Sequence, residues 1–246
     1  MNQKACVFID GQNFYNSIID TYFPAGSCNG QVSMGDIQAG FDLEGFCKKL
    51  TSGQDLEKIY YFDARLNHTF KGSAIQGQRA FFNSLRKQKL VEVQLGKIEG
   101  PKGAWYQKGV DVKMATFMIR GAHRKEYNLA YMLSNDKDFC PAIDYIQGSY
   151  KDRVVNYIFF KKRLTGMLFD LCRRSRSLRD AEVYEFCNLA LLKKLKHFTI
   201  LTAQPWFKKK YPGMVTTKKG EQPFAGSKLV VGNIKVRKKK KAKKRR

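Results

Sequence analysis

The stretch from Leu129 to Ile146 constrains the fold more than any other part of the chain. Leu129 to Leu133 is a short apolar run that stops at polar turn residues, which reads as a buried strand. Phe139, Ala142, Ile143 and Ile146 then recur at helical spacing, and Pro141 is tolerated in a first helical turn. Asp136 and Asp138 therefore lie where a strand hands over to a helix. In open α/β sheets the edge beyond the carboxyl ends of the strands is where ligands bind. Taken singly, the two acids need do no more than shape the turn and cap the helix.

Two other stretches repeat the arrangement. Residues 5–13, Ala-Cys-Val-Phe-Ile-Asp-Gly-Gln-Asn, read as a strand ending in Asp10, with Gly11 permitting a sharp turn. After Lys108-Gly109-Val110-Asp111-Val112, the apolar positions Ala115, Met118, Ile119 and Ala122 follow helical spacing, so Asp111 falls in or just before a first turn. Asp10, Asp111, Asp136 and Asp138 thus occupy comparable strand-end or helix-start positions. Packed together, they would repel one another unless protonated or neutralised by a cation. All-oxygen ligation suits Mg²⁺ or Mn²⁺.

Three more strands complete the pattern: Lys58–Phe62, Leu90–Leu95 and Val154–Phe160, the last nearly continuous in apolar residues as in a sheet buried on both faces. With helices expected between them, the chain reads as an α/β fold around a central, mainly parallel sheet of five strands. Asp63 follows the second strand and would point to the same edge, as a fifth acid or, preferably, as a residue holding the loop that follows. That loop carries Arg65, His68 and Lys71, suited to phosphate contact. A second loop, 96–107, carries Lys97, Lys102, Trp105 and Tyr106; aromatics beside lysines suit stacking on unpaired bases, and Trp105 could equally anchor the loop. Lys108 stands three residues before Asp111, close enough for a phosphate contact near the acids. Residues 24–40 read as a glycine- and serine-rich loop, and 163–172 and 178–192 as helices with arginines around them.

The charge balance points to the partner. There are 46 basic and 21 acidic residues, a net +25, which calls for a polyanion, nucleic acid first. The excess is steepest at the end: Lys235–Arg246 is basic at ten of twelve positions. Blocks of this kind repel themselves and bind polyanions in a salt-dependent way. We expect one domain over residues 1–205 and a basic nucleic-acid-binding tail over 206–246, with a short strand open at 228–236. No apolar run approaches the ~18 residues of a membrane span, and the N-terminus shows no signal-peptide pattern. The six cysteines have no C-x-x-C spacing, so neither a zinc site nor a disulfide framework is expected, and a reducing compartment fits. The expected location is cytoplasmic, with a nuclear one open in a nucleated cell.

Phe8-Ile9-Asp10-Gly11-Gln12-Asn13, Lys108-Gly109-Val110-Asp111-Val112 and Ser134-Asn135-Asp136-Lys137-Asp138-Phe139, in that order, resemble the NYN domain, a PIN-like nuclease family related to flap nucleases. The resemblance covers about residues 4–190. It implies a three-layer α/β/α sandwich and a divalent-metal site that hydrolyses RNA. By motif, Asp10, Asp111, Asp136 and Asp138 take the metal-binding and catalytic roles, with Asn13 and Ser134 in support. Two positions depart from the pattern. Phe117 stands where many members carry a further acid, and Asn135 replaces the usual glycine of Ser-Gly-Asp.

The expected activity is that of a metal-dependent endoribonuclease acting on single-stranded or loop regions of RNA. Two alternatives stay open: a PIN-like RNA-binding protein with weak or lost chemistry, and a DNA nuclease on the same fold. Assembly into a homo-oligomer is also left open.

Overall fold

The computed structural model describes residues 2–101, 103–161 and 163–212. Lys102, the basic run Lys235–Arg246 and the strand expected at 228–236 lie outside the described residues. Among the described residues, seven strands form one sheet: β1 (Lys4–Asp10), β2 (Asp55–Arg65), β3 (Val91–Glu99), β4 (Tyr106–Lys108), β5 (Leu129–Leu133), β6 (Val154–Phe160) and β7 (Arg174–Leu178). They are ordered β4-β3-β2-β1-β5-β6-β7. Every neighbouring pair is parallel except β3 and β4, which run antiparallel.

The sheet is therefore mixed and seven-stranded, where five parallel strands were expected. Both additions are edge strands with polar sequences. β4, Tyr-Gln-Lys, sits inside the stretch read as a loop. β7, Arg-Ser-Arg-Ser-Leu, sits inside the arginine cluster read as a link between helices. An edge strand with little to bury needs no apolar alternation, so main-chain pairing alone defines it.

Among the described residues, eleven helices pack around the sheet: α1 (Gly11–Tyr22), α2 (Met34–Gly40), α3 (Leu43–Leu50), α4 (Gly72–Arg86), α5 (Val110–His123), α6 (Cys140–Ser149), α7 (Gly166–Leu171), α8 (Asp180–Tyr184), α9 (Leu189–Leu192), α10 (Phe198–Thr202) and α11 (Pro205–Lys210). The alternation of β1 explains the layers. Ala5, Val7 and Ile9 face one core with α1 to α4 and α8 to α11, while Cys6 and Phe8 face a second core with α5, α6 and α7. The result is three layers, helix, sheet and helix.

The segment 24–40 is partly ordered. Ser33 caps α2, its hydroxyl accepting from the Asp36 amide while the Asp36 carboxylate accepts from the Ser33 amide. The stretch 178–192 holds two short helices rather than one. α11 begins at Pro205, across the boundary expected there, and Phe207 is fully buried in the first core. No described helix is long and apolar enough to cross a membrane.

Candidate active site

Because β1, β2, β5 and β6 are parallel, their carboxyl ends share one edge, and three chain segments bring acids there. Asp10 is the last residue of β1 and also the N-cap of α1; the Asn13 amide donates to its Oδ1 at 3.2 Å. The turn is tight because Gly11 lies against β2. A Cβ at Gly11 would stand 2.2 Å from the Tyr61 hydroxyl and 2.9 Å from the Phe62 carbonyl oxygen, so no larger residue fits.

β5 pairs with β1 in parallel register, Leu133 opposite Ile9, which brings Ser134 beside Asp10. The Ser134 hydroxyl donates to Asp10 Oδ2 at 2.9 Å and accepts from the Asp136 amide at 3.2 Å. One buried hydroxyl thus ties the two acidic turns together. Asp136 then caps a single 3₁₀ turn, Lys137–Phe139, its Oδ1 accepting from the Asp138 amide at 2.9 Å. Asp111 arrives separately, in the first turn of α5. Gly109, at φ 78°, supplies the left-handed residue that starts this helix directly after β4.

The acids act on one another. Asp10 is buried, and burial pushes its carboxyl up to about 6, with Asp111 and Asp136 adding repulsion against hydrogen bonds from Asn13 and Ser134 that pull it down. Asp111 is also raised, by desolvation first and then by Asp136 and Asp138. Burial combined with like charges is a frequent signature of a working site.

The folded state therefore holds the Asp10 proton more tightly than the unfolded chain does. Stability from this group is complete below the ordinary carboxylate range and is lost as pH rises through about 6. Without divalent metal, Asp10→Asn is expected to stabilise the protein at pH 7.5 by on the order of 1–2 kcal/mol, with the gain shrinking toward pH 5. Thermal melts of both proteins at the two pH values, in EDTA, check this. A variant less stable than wild type at pH 7.5 would contradict the strained carboxylate.

Asn13 and Asn135 support the edge. Asn13 Oδ1 accepts from the Asn135 amide and from Asn135 Nδ2, each at 3.2 Å, and Nδ2 also donates to Ser17 Oγ. Two residues not singled out in the sequence lock Asn135 from the other side. The Tyr157 hydroxyl donates to its Oδ1 at 2.9 Å, and the Thr165 hydroxyl donates to its carbonyl at 2.7 Å. The only sequence signal for this pair is a tyrosine within the apolar run of β6.

Asp63 is buried and fully engaged. It accepts from the Tyr61 hydroxyl at 3.0 Å, the Ala64 amide at 2.7 Å and Gln107 Nε2 at 3.3 Å, while burial raises its carboxyl. These contacts lie within β2 and reach across to β4. Phe117 packs edge-on against Tyr60 and Phe62, with ring centroids 5.4 and 5.6 Å away, and the Arg120 guanidinium lies 3.9 Å over its face. It lies six residues past Asp111, about 9 Å along the helix axis, so it is spent on packing. The Cys140 thiol is pushed up by burial and by Asp138, which argues against a reactive thiolate there.

The basic residues fall beside the acids. Strand register sets Arg65 of β2 opposite Lys97 of β3, and Lys97 opposite Lys108 of β4. Three cations thus cross three adjacent strands over about 10 Å. Like charges in register destabilise a sheet unless something neutralises them, and among the described residues only Lys108 has a carboxylate partner, Glu99 at 2.8 Å. Lys71 is exposed at the start of α4. Trp105 is half-buried and packs at a tilt on Phe70, with centroids 4.4 Å apart, which brings its loop against the one after β2. Lys102 lies outside the described residues.

Among the described residues, no three His, Cys, Asp or Glu side chains are close enough to form a metal cage. The site is an open carboxylate edge.

Comparison with known proteins agrees with the fold. A Vibrio parahaemolyticus protein of unknown function shares it, with a TM-score of 0.54 at 20% identity over 74% of this chain and 96% of that one. No curated protein sequence matches the chain significantly. The family model of the NYN domain matches residues 4–178, from the first residue of β1 to the last of β7. With that match over most of its length, the chain belongs to the NYN domain family, a PIN-like group related to nucleases.

Proposed function

We propose that the protein is a metal-dependent endoribonuclease. The observation that carries this reading is the convergence of Asp10, Asp111, Asp136 and Asp138 on one sheet edge, where burial and neighbouring carboxylates raise Asp10 and Asp111. The donor set fits a hard divalent cation. All donors are carboxylate oxygens, their mutual repulsion would be relieved by positive charge, and Mg²⁺ in particular takes one or two carboxylates and keeps several waters, so no closed cage is needed. Asp10, Asp111, Asp136 and Asp138 would hold Mg²⁺ or Mn²⁺. When bound, such an ion polarises the phosphate and acidifies a coordinated water.

The chain's own residues supply the rest. Ser134 and Asn13 fix the Asp10 carboxylate, and the exposed Asp111 and Asp138 face the solvent from which a strand must approach. An uncompensated row of carboxylates repels phosphate. Arg65, Lys97 and Lys108 offset this by gripping the strand on the flank of the edge. Water as the attacking group leaves a 5′-phosphate and a 3′-hydroxyl.

A second reading has one observation in its favour. Phe117 fills with aromatic packing a position where an acid was expected, which suits an RNA-binding protein with weakened chemistry. The test is cleavage of a labelled, partly structured RNA and a matched DNA, by wild type and Asp138→Asn, with Mn²⁺, with Mg²⁺ and with EDTA. Metal-dependent cutting of RNA by the wild type alone is the expected result. Tight binding without cutting in either metal would move the assignment to the binding protein, and preferential cutting of DNA would move it to a DNA nuclease.

A further inference from the structure

A groove of about 500 Å³ opens on the other flank of the carboxylate edge, away from the Arg65–Lys97–Lys108 row. Its walls come from two segments. One is the Asn135–Lys137 turn after β5; the other is Arg163–Thr165, between β6 and α7. Asn13 closes the floor. Asp136 lines the groove as well, so it is continuous with the candidate active site.

We propose that this groove holds a backbone phosphate of the nucleic-acid strand, next to the phosphate at the carboxylates. Lys137 and Arg163 are both exposed and bring two cations to the rim. Asn13 Oδ1 is occupied by Asn135, so its Nδ2 group remains as a neutral donor toward the groove it lines. Thr165 donates its hydroxyl proton to the Asn135 carbonyl, so it fixes the groove wall and leaves phosphate binding to Lys137, Arg163 and Asn13.

The Asn135 wall is held firmly, because Asn135 is bonded by Asn13, Ser17, Tyr157 and Thr165. A fixed polar wall beside exposed cations positions a phosphate without reading a base. Arg163 pairs with Asp20, but their side chains are 41% and 51% exposed. Ion pairs this open contribute little, so a phosphate can displace the Asp20 carboxylate.

The consequence is a footprint on both sides of the cut. The row of β2, β3 and β4 lies on one flank and this groove on the other, with Asp10 and Asp136 between them. A strand gripped on both flanks is cut internally. The inference rests on reading the carboxylate edge as a site that acts on nucleic acid.

The test compares the full-length wild type with Lys137→Gln/Arg163→Gln, with Lys137→Arg/Arg163→Lys, and with Lys4→Gln/Lys151→Gln at the opposite edge of the sheet. Binding of a short single-stranded RNA is titrated against salt in EDTA, and cleavage is followed separately in Mn²⁺. The groove double variant is expected to bind about tenfold more weakly, with the salt slope reduced by about 1.4 for two lost contacts on a single strand. The charge-conserving variant should keep most of the affinity, and the opposite-edge variant nearly all of it.

Equal affinity and slope in wild type and groove variant would overturn the proposal, as would an equal loss in the opposite-edge variant. Inorganic phosphate that binds wild type but not the groove variant, with RNA affinity equal in the two, would reassign the groove to free phosphate and also overturn it. A selective loss of binding in the groove variant, with no cutting by wild type in either metal, would keep the groove and remove the nuclease. A wild type that binds no nucleic acid would remove both.

Discussion

Replacing Asp111 by asparagine is expected to lower RNA cleavage by about 100-fold or more, a loss of roughly 3 kcal/mol of transition-state stabilisation, while RNA affinity stays within about twofold. The side chains are of equal size, and Asp111 is exposed in the first turn of α5, so the fold is not at stake. What changes is the charge. Asp111 is raised by desolvation and by the nearby Asp136 and Asp138, and it reaches the edge on a segment separate from β1 and β5. Affinity should be spared because the gripping cations lie elsewhere, and removal of a negative charge favours a polyanion. Single-turnover cleavage and equilibrium binding, measured on the same RNA, separate the two effects. Full cleavage by the variant would remove Asp111 from the site.

Phe207→Ala is expected to destabilise the protein by about 3–5 kcal/mol and to lower its melting temperature by about 10 °C. Phe207 is fully buried, with its ring 5.7 Å from Phe198, 5.6 Å from Trp206 and 5.0 Å from Tyr211. It lies beyond the residues matched by the family model, which end at 178, and past the boundary that the shift in composition suggests. Chemical denaturation of the full chain measures the effect. A change under about 1 kcal/mol, the range of surface substitutions and milder core losses, would mean that the packed body ends before α11.

These two residues mark how far the sequence could be read. Asp111 was legible because three local signals coincide: a glycine, an acid, and apolar residues at helical spacing. Asp10 and Asp136 were legible for the same kind of reason, each ending an apolar run. What could not be read was non-local. β4 and β7 exist through pairing with β3 and β6, and their own residues carry no pattern that asks for it. The lock on Asn135 joins residues 13, 17, 157 and 165, which no spacing rule connects. The row of Arg65, Lys97 and Lys108 depends on register across three strands, and register is set by the whole sheet. Phe117 shows the limit of motif reading, since its meaning depends on the rings that α5 meets on β2.

The position of Phe207 has a consequence in time. A ribosome delivers Asp10, Asp111, Asp136 and Asp138 well before Val183, Tyr184 and Phe207. Yet α1, whose first turn Asp10 caps, shares its core with those later residues, and the Tyr184 hydroxyl donates to the Tyr22 carbonyl at 3.2 Å. At about 5–20 residues per second, the acids emerge several seconds before the core that steadies them. A nascent chain therefore carries every carboxylate of the edge while the scaffold beneath it is still incomplete.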